Sequence, residues 1–164
     1  MRIVIAIDSF KGSLSSAQGA DALAAGLLDA DPALQILKVP IADGGEGTLE
    51  ALARACEGRL VSVETFDPLE RPRRAAYLLL SGGETAVVEL AAASGLTLLA
   101  PAERDPLAAT TRGTGVVIRR AIDDGARRII LTVGGSATND GGTGIAVALG
   151  AKFLDDRGGE VPPR

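Results

Sequence analysis

The sequence is 164 residues long and carries 17 basic and 21 acidic residues, a formal charge of −4 that argues against nucleic acid as the main partner. It has no His and one Cys, which removes Ser-His-Asp catalysis, His-ligated zinc and an internal disulfide, and suits a reducing cytoplasm. Apolar residues make up 46 % and aromatics 2 %, so a core must be built from Ala, Val, Leu and Ile, and no run approaches the roughly 18 apolar residues of a membrane span.

Residues 2–7 are a continuous apolar run, the pattern of a strand buried on both faces. This start is too short and too soon acidic for a signal peptide. After the polar loop 8–13, a helix is predicted from about Ser15 to Ala30, with Ala20, Leu23, Ala24, Leu27 and Leu28 on one face and Asp31-Pro32 as its stop. A second strand is predicted near Gln35–Val39. The loop 42–48 then opens a helix with the stripe Leu49, Leu52, Ala53 and Cys56, and Gly58 is the expected stop. Strand, helix, strand, helix implies an α/β fold with parallel strands. The middle reads differently. Three successive strands, Arg59–Phe66, Arg73–Leu80 and Thr85–Leu90, suggest antiparallel pairing in a second unit. After a loop around Pro101–Thr111 the α/β pattern returns, with a helix over Gly113–Asp124, a strand over Arg128–Val133 and a helix over Thr143–Leu149. The chain closes on a fresh turn at Asp155–Gly159, so it is expected to be a truncated piece.

Four loops share one design, rich in Gly with hydroxyl or acidic residues and leading into a helix N-terminus: Asp8–Ser13, Asp43–Thr48, Thr110–Gly115 and Gly134–Gly142. Free N–H groups and the helix dipole make such ends natural anion sites, and Gly allows close backbone approach. Each loop alone can be read as capping and turn chemistry. Together they offer Ser9, Ser13, Gly44, Gly45, Thr111, Gly113, Gly135, Ser136, Thr138 and Asn139 as candidate substrate- or phosphate-binding residues. No P-loop or dinucleotide motif is present. Asp8 and Asp43 directly follow apolar strands, and in an open parallel sheet those strand ends gather in one crevice. Clustered carboxylates favour a cation between them. Mg²⁺ arriving with ATP is the candidate, with Asp43 and Glu46 as its ligands. Lys11, beside Asp8, would neutralise a transferring phosphoryl group.

At these loops the sequence resembles the bacterial glycerate kinase family. The segments 8–13 (Asp-Ser-Phe-Lys-Gly-Ser), 42–48 (Ala-Asp-Gly-Gly-Glu-Gly-Thr), 89–96 (Glu-Leu-Ala-Ala-Ala-Ser-Gly-Leu), 110–115 (Thr-Thr-Arg-Gly-Thr-Gly) and 134–142 (Gly-Gly-Ser-Ala-Thr-Asn-Asp-Gly-Gly) are similar to the family's signatures and follow its order. One departure is Ile7, where the family often has Pro. The resemblance implies transfer of the γ-phosphoryl group of ATP to D-glycerate, with the 2-position weakly favoured. It implies two α/β domains with the active site between them. Residues 1–62 would begin a Rossmann-like domain, and 63–164 would begin a second α/β domain inserted into it. The catalytic candidates are Asp8, Lys11 and Asp140, with Asp8 or Asp140 accepting the hydroxyl proton. By itself the piece is expected to be inactive. The competing readings are a truncated module that binds glycerate or nucleotide without turnover, and an α/β protein whose loops are purely structural.

Overall fold

The structure, a computed structural model, describes residues 1–10 and 12–161. In chain order the elements are β1 (Arg2–Ile7), α1 (Ser16–Ala30), β2 (Gln35–Pro40), α2 (Thr48–Ala55), β3 (Gly58–Phe66), β4 (Pro72–Leu80) and β5 (Thr85–Glu89), followed by α3 (Ala91–Ser94), α4 (Arg112–Asp123), β6 (Arg128–Thr132) and α5 (Thr143–Ala148). The fold is α/β, as expected. Short 3-10 turns at Leu96–Leu98 and Pro101–Glu103 lie in the stretch between α3 and α4.

The first sheet pairs β1 with β2 in parallel, from Arg2 against Gln35 to Ile7 against Pro40. The crossover is α1. Ser15 caps it: the Gln18 N–H donates to Ser15 Oγ at 3.2 Å, and the Ser15 N–H donates to Gln18 Oε1 at 2.9 Å. This reciprocal pair satisfies two of the helix's orphan donors. Ala20 and Ala24 bury against Ile5, with Ile3, Ile7, Leu27 and Ile36 around them. The strand expected to be buried on both faces is covered on one. Val4 and Leu37, which face each other in the register, are 55 % and 54 % exposed. The reason is topological: among the described residues α1 packs on one face of this sheet, and an apolar run cannot report which of its faces finds a partner.

The second sheet has the order β3-β4-β5-β6, antiparallel through the first three strands and parallel between β5 and β6. The three strands predicted in succession thus pair as a meander. One face packs on α4, where Val117, Ile118 and Ala121 meet Tyr77, Val88 and Val63. The other packs on α2, where Leu49 meets Leu78 and Val87. So α2, which follows β2 in sequence, joins the second sheet. The expected division at residue 62 falls inside β3, whose pairing with β4 runs unbroken from Gly58 to Phe66. Gly58 does not end α2; Cys56 is the extended C-cap and Gly58 is the first residue of β3. A Cβ at Gly58 would sit 2.7 Å from the Leu79 carbonyl oxygen, so close strand approach explains the Gly there.

Candidate functional site

The loops after β1, β2 and β6 converge where the two sheets meet. The contact between the last two is made by backbone. The Gly134 N–H donates to the Gly44 carbonyl at 3.0 Å, and a Cβ at Gly134 would lie 2.5 Å from the Gly45 nitrogen. A Cβ at Gly135 would lie 2.7 Å from a Glu46 carboxylate oxygen. Two Gly-Gly pairs therefore let two loops cross at a distance that side chains forbid. Thr97 adds a side-chain tie, its hydroxyl donating to Glu46 Oε1 at 3.2 Å.

A cavity of about 440 Å³ opens beside this crossing, within the usual range of about 300–1,000 Å³ for small-molecule sites. Asp8, Ser9, Ser13, Glu46 and Gly135 line it, together with Leu96 and Arg104. Asp8 Oδ1 accepts from the Ser9 N–H at 2.6 Å. Gly44 and Gly45 serve the crossing itself. Asp43 is outside the cavity lining, and its Oδ1 accepts from the Gly45 N–H at 2.8 Å, which shapes the loop. Lys11 lies outside the described residues.

The other candidates sit elsewhere. Asn139 and Asp140 line a second cavity of about 790 Å³ with Thr110, Arg112 and Glu70. Asp140 is a junction. Its Oδ2 accepts from the Thr111 N–H and hydroxyl, both at 2.8 Å, from the Gly144 N–H at 3.2 Å and from the Thr110 hydroxyl at 3.3 Å. Its Oδ1 accepts from the Gly142 N–H at 3.1 Å. Partial burial pulls this carboxyl upward, but the Thr111, Gly142 and Gly144 donors outweigh it and hold Asp140 below its ordinary value. The Thr111 hydroxyl also accepts from the Ile145 N–H at 3.1 Å, so Asp140 and Thr111 together tie the starts of α4 and α5. Gly113 is buried where an added Cβ would strike the Phe66 carbonyl. Ser136 and Thr138 bond to each other at 2.9 Å within their own turn.

Sequence reasoning missed Glu89. It is 7 % exposed at the end of β5, and its carboxylate accepts from the Leu49 N–H at 3.0 Å, with Gly47 and Thr48 N–H groups adding. The start of α2 is thereby capped from the second sheet, since Gly47 supplies no side chain. Burial raises the Glu89 carboxyl above its ordinary value, the nearby Glu46 charge acts in the same direction, and the N–H donors oppose them. The residues in contact are 40 positions apart, so no local pattern announces the cap.

Among the described residues no group of three or more His, Cys, Asp or Glu is placed to hold a metal ion. A Mg²⁺ carried on ATP asks less, since it is usually held by one or two carboxylates beside the phosphates. Glu46, a hard oxygen donor on the cavity wall, fits that requirement; Asp43, turned into its own loop, fits it less well.

The glycerate kinase family matches residues 3–164 of the chain. The chain is 48 % identical over 163 residues to a glycerate kinase of Bacillus subtilis strain 168, covering 99 % of itself and 43 % of that protein. It is 47 % identical over 161 residues to a glycerate 2-kinase of Escherichia coli K12, covering 98 % of itself and 42 % of that protein. A crystal structure carrying the name glycerate kinase 2, from Salmonella typhimurium LT2, superposes with a TM-score of 0.77 at 49 % identity, over 98 % of this chain and 43 % of that one. The chain thus spans about two-fifths of the length of the curated relatives it matches.

Proposed function

Because the chain belongs to the glycerate kinase family, we propose that the full-length protein transfers the γ-phosphoryl group of ATP to D-glycerate, at the 2-hydroxyl. The observation that carries the reading is the crossing of the 44–45 and 134–135 backbones, which gathers Asp8, Ser9 and Glu46 around one cavity of small-molecule size. Phosphoryl transfer needs positioning and charge neutralisation more than covalent chemistry, and preformed glycine loops suit that task. Asp8 accepts the proton of the attacking hydroxyl. Its Oδ2 makes no hydrogen bond to a described residue, whereas both oxygens of Asp140 are engaged. Asp140 acts by holding the loop 134–142 against the start of α4. Lys11 neutralises charge on the transferring group, a role resting on its place beside Asp8 in the sequence. Glu46 would hold Mg²⁺ with the nucleotide, where the ion would supply positive charge against the phosphates. Ser9 and Ser13 orient acceptor oxygens. The second sheet belongs to a domain inserted into the first, and the protein works in the reducing cytoplasm.

The test is a coupled assay of the full-length protein with Mg·ATP and D-glycerate, the product position being read by NMR. Turnover of about 1–100 s⁻¹, usual for kinases, with a 2-phospho product supports the proposal. ATP hydrolysis without a phosphorylated glycerate defeats it. The 3-phospho isomer corrects the regiochemistry.

A further inference from the structure

The cavity between the two sheets is acidic. Asp8, Glu46 and Glu50 line it, and Arg104 is the one basic residue among its described lining residues. A wall of carboxylates repels an anionic acceptor unless a cation compensates. Arg104 belongs to none of the Gly-rich loops; it follows the 3-10 turn Pro101–Glu103.

That turn is anchored. Glu103 Oε2 accepts from the Ala100 N–H at 3.0 Å, and its Oε1 accepts from Arg71 Nη1 at 2.6 Å. Arg71 Nε in turn donates at 2.5 Å to Asp67, a carboxylate 6 % exposed in the β3–β4 turn. The backbone that carries Arg104 is therefore tied to the second sheet. The Arg104 side chain is different. It forms no hydrogen bond or ion pair with a described residue, while Arg71, Arg112 and Arg120 each hold a carboxylate. An anchored root, an uncommitted guanidinium and an acidic cavity form a receptor for a small carboxylate, which a guanidinium grips through two parallel hydrogen bonds.

We propose that Arg104 binds the carboxylate of the acceptor and makes the cavity select a short hydroxy acid over a neutral polyol. The inference rests on the reading of the protein as a glycerate kinase. ATP phosphates share the anionic chemistry, so the test must separate the two.

In the full-length protein, wild type, Arg104→Gln and Arg104→Lys are assayed with D-glycerate and with glycerol while ATP is varied independently. Circular dichroism and melting temperature check the fold, which should persist because the side chain has no partner to lose among the described residues. Arg104→Gln should raise KM for glycerate about 10–100-fold, the scale of one charge-assisted hydrogen-bonding partner. KM for ATP and the rate with glycerol should stay unchanged, so the preference for glycerate over glycerol falls by the same factor. Arg104→Lys should recover part of the loss. An unchanged glycerate KM, or a rise in the ATP KM instead, overturns the assignment. Wild-type enzyme that ignores glycerate altogether overturns the functional reading, and Arg104 as its carboxylate clamp with it.

Discussion

The four-stranded sheet is covered on both faces, by α2 and α4, whereas the two-stranded sheet is covered on one, by α1. The difference shows in the side chains. In the larger sheet Tyr77 and Leu78 point to opposite faces and both are fully buried. In the smaller, Ile5 is buried while Val4 beside it is more than half exposed. The larger sheet is held by its own core; isolated two-stranded sheets are marginal in water. The candidate site lies on the seam between the two. The lesson is that its geometry rests on the tie between the units as much as on either one, and that tie is made of backbone, with the Thr97–Glu46 hydrogen bond beside it.

The sharpest test of the contrast is Leu78→Ala. It removes a fully buried side chain from the contact with Leu49 and Val87, so it should cost about 2–5 kcal/mol of unfolding free energy. Urea denaturation followed by circular dichroism measures it. A loss below about 1 kcal/mol would mean that this face of the sheet is not a packed core in solution.

Next is the crossing itself. Gly134→Ala places a methyl group 2.5 Å from the Gly45 nitrogen, against backbone that can only move away. A displacement on the scale of 1 Å can cost about 10²-fold in rate, so kcat/KM for glycerate should fall by about that factor in the full-length protein. The control is Gly26→Ala in α1, where the new methyl group meets nothing within 4 Å. It should leave activity unchanged and stabilise by about 0.4–1 kcal/mol. Equal activity in both variants would remove the crossing from the mechanism.

Much of this arrangement was legible in the sequence, and the gaps have physical causes. The start of α1 near Ser15, the meander of β3 to β5 and the span of α4 follow from local propensity and periodicity, which act over a few residues. The destination of α2 does not. Its stripe of Leu49, Leu52 and Ala53 suits any apolar face, and only the assembled fold puts it on Leu78 and Val87. In the site, the glycine loops marked Asp8, Ser9, Ser13, Glu46 and Gly135, which do share a cavity. The same reasoning gave no means to tell a carboxylate facing that cavity from one, Asp140, engaged by five donors. Arg104 lines the cavity and Glu89 caps α2 from positions distant in sequence, and neither carries a local mark.

Glu89 gives a smaller effect with a pH signature. Glu89→Ala strips the cap from α2 and should cost about 0.5–2 kcal/mol, the range for lost helix caps. The pH dependence follows from the raised carboxyl. A group whose folded value exceeds its unfolded value binds its proton more tightly in the folded state. Its contribution is therefore fully present below the ordinary value of 4.5 and is lost as pH rises through the folded value. Wild type should gain stability relative to Glu89→Gln as pH falls through that window. Asp140 works in the opposite sense. Its depressed value contributes above the ordinary carboxylate value and is lost as pH falls through the folded one. The comparison with Glu89→Gln isolates the first effect, because both proteins keep Asp140. A difference in stability that does not vary with pH would show that Glu89 is ionised as easily folded as unfolded.

The smallest effect tests the exposed side of the comparison. Val4 faces Leu37 on the uncovered side of β1 and β2, with more than half of its surface in water. Val4→Ser keeps a small side chain on the strand and removes little buried area. Surface substitutions of this kind usually stay within about ±0.5 kcal/mol. Ile5→Ala on the adjacent, covered position should cost about 2–5 kcal/mol, because it empties the contact with Ala20 and Ala24. Measured side by side in this chain by urea denaturation, the two substitutions report how completely each face of one strand is buried. A cost for Val4→Ser approaching that for Ile5→Ala would mean that the face is covered in solution. The small sheet would then be two-sided like the large one, as the unbroken apolar run of residues 2–7 implies.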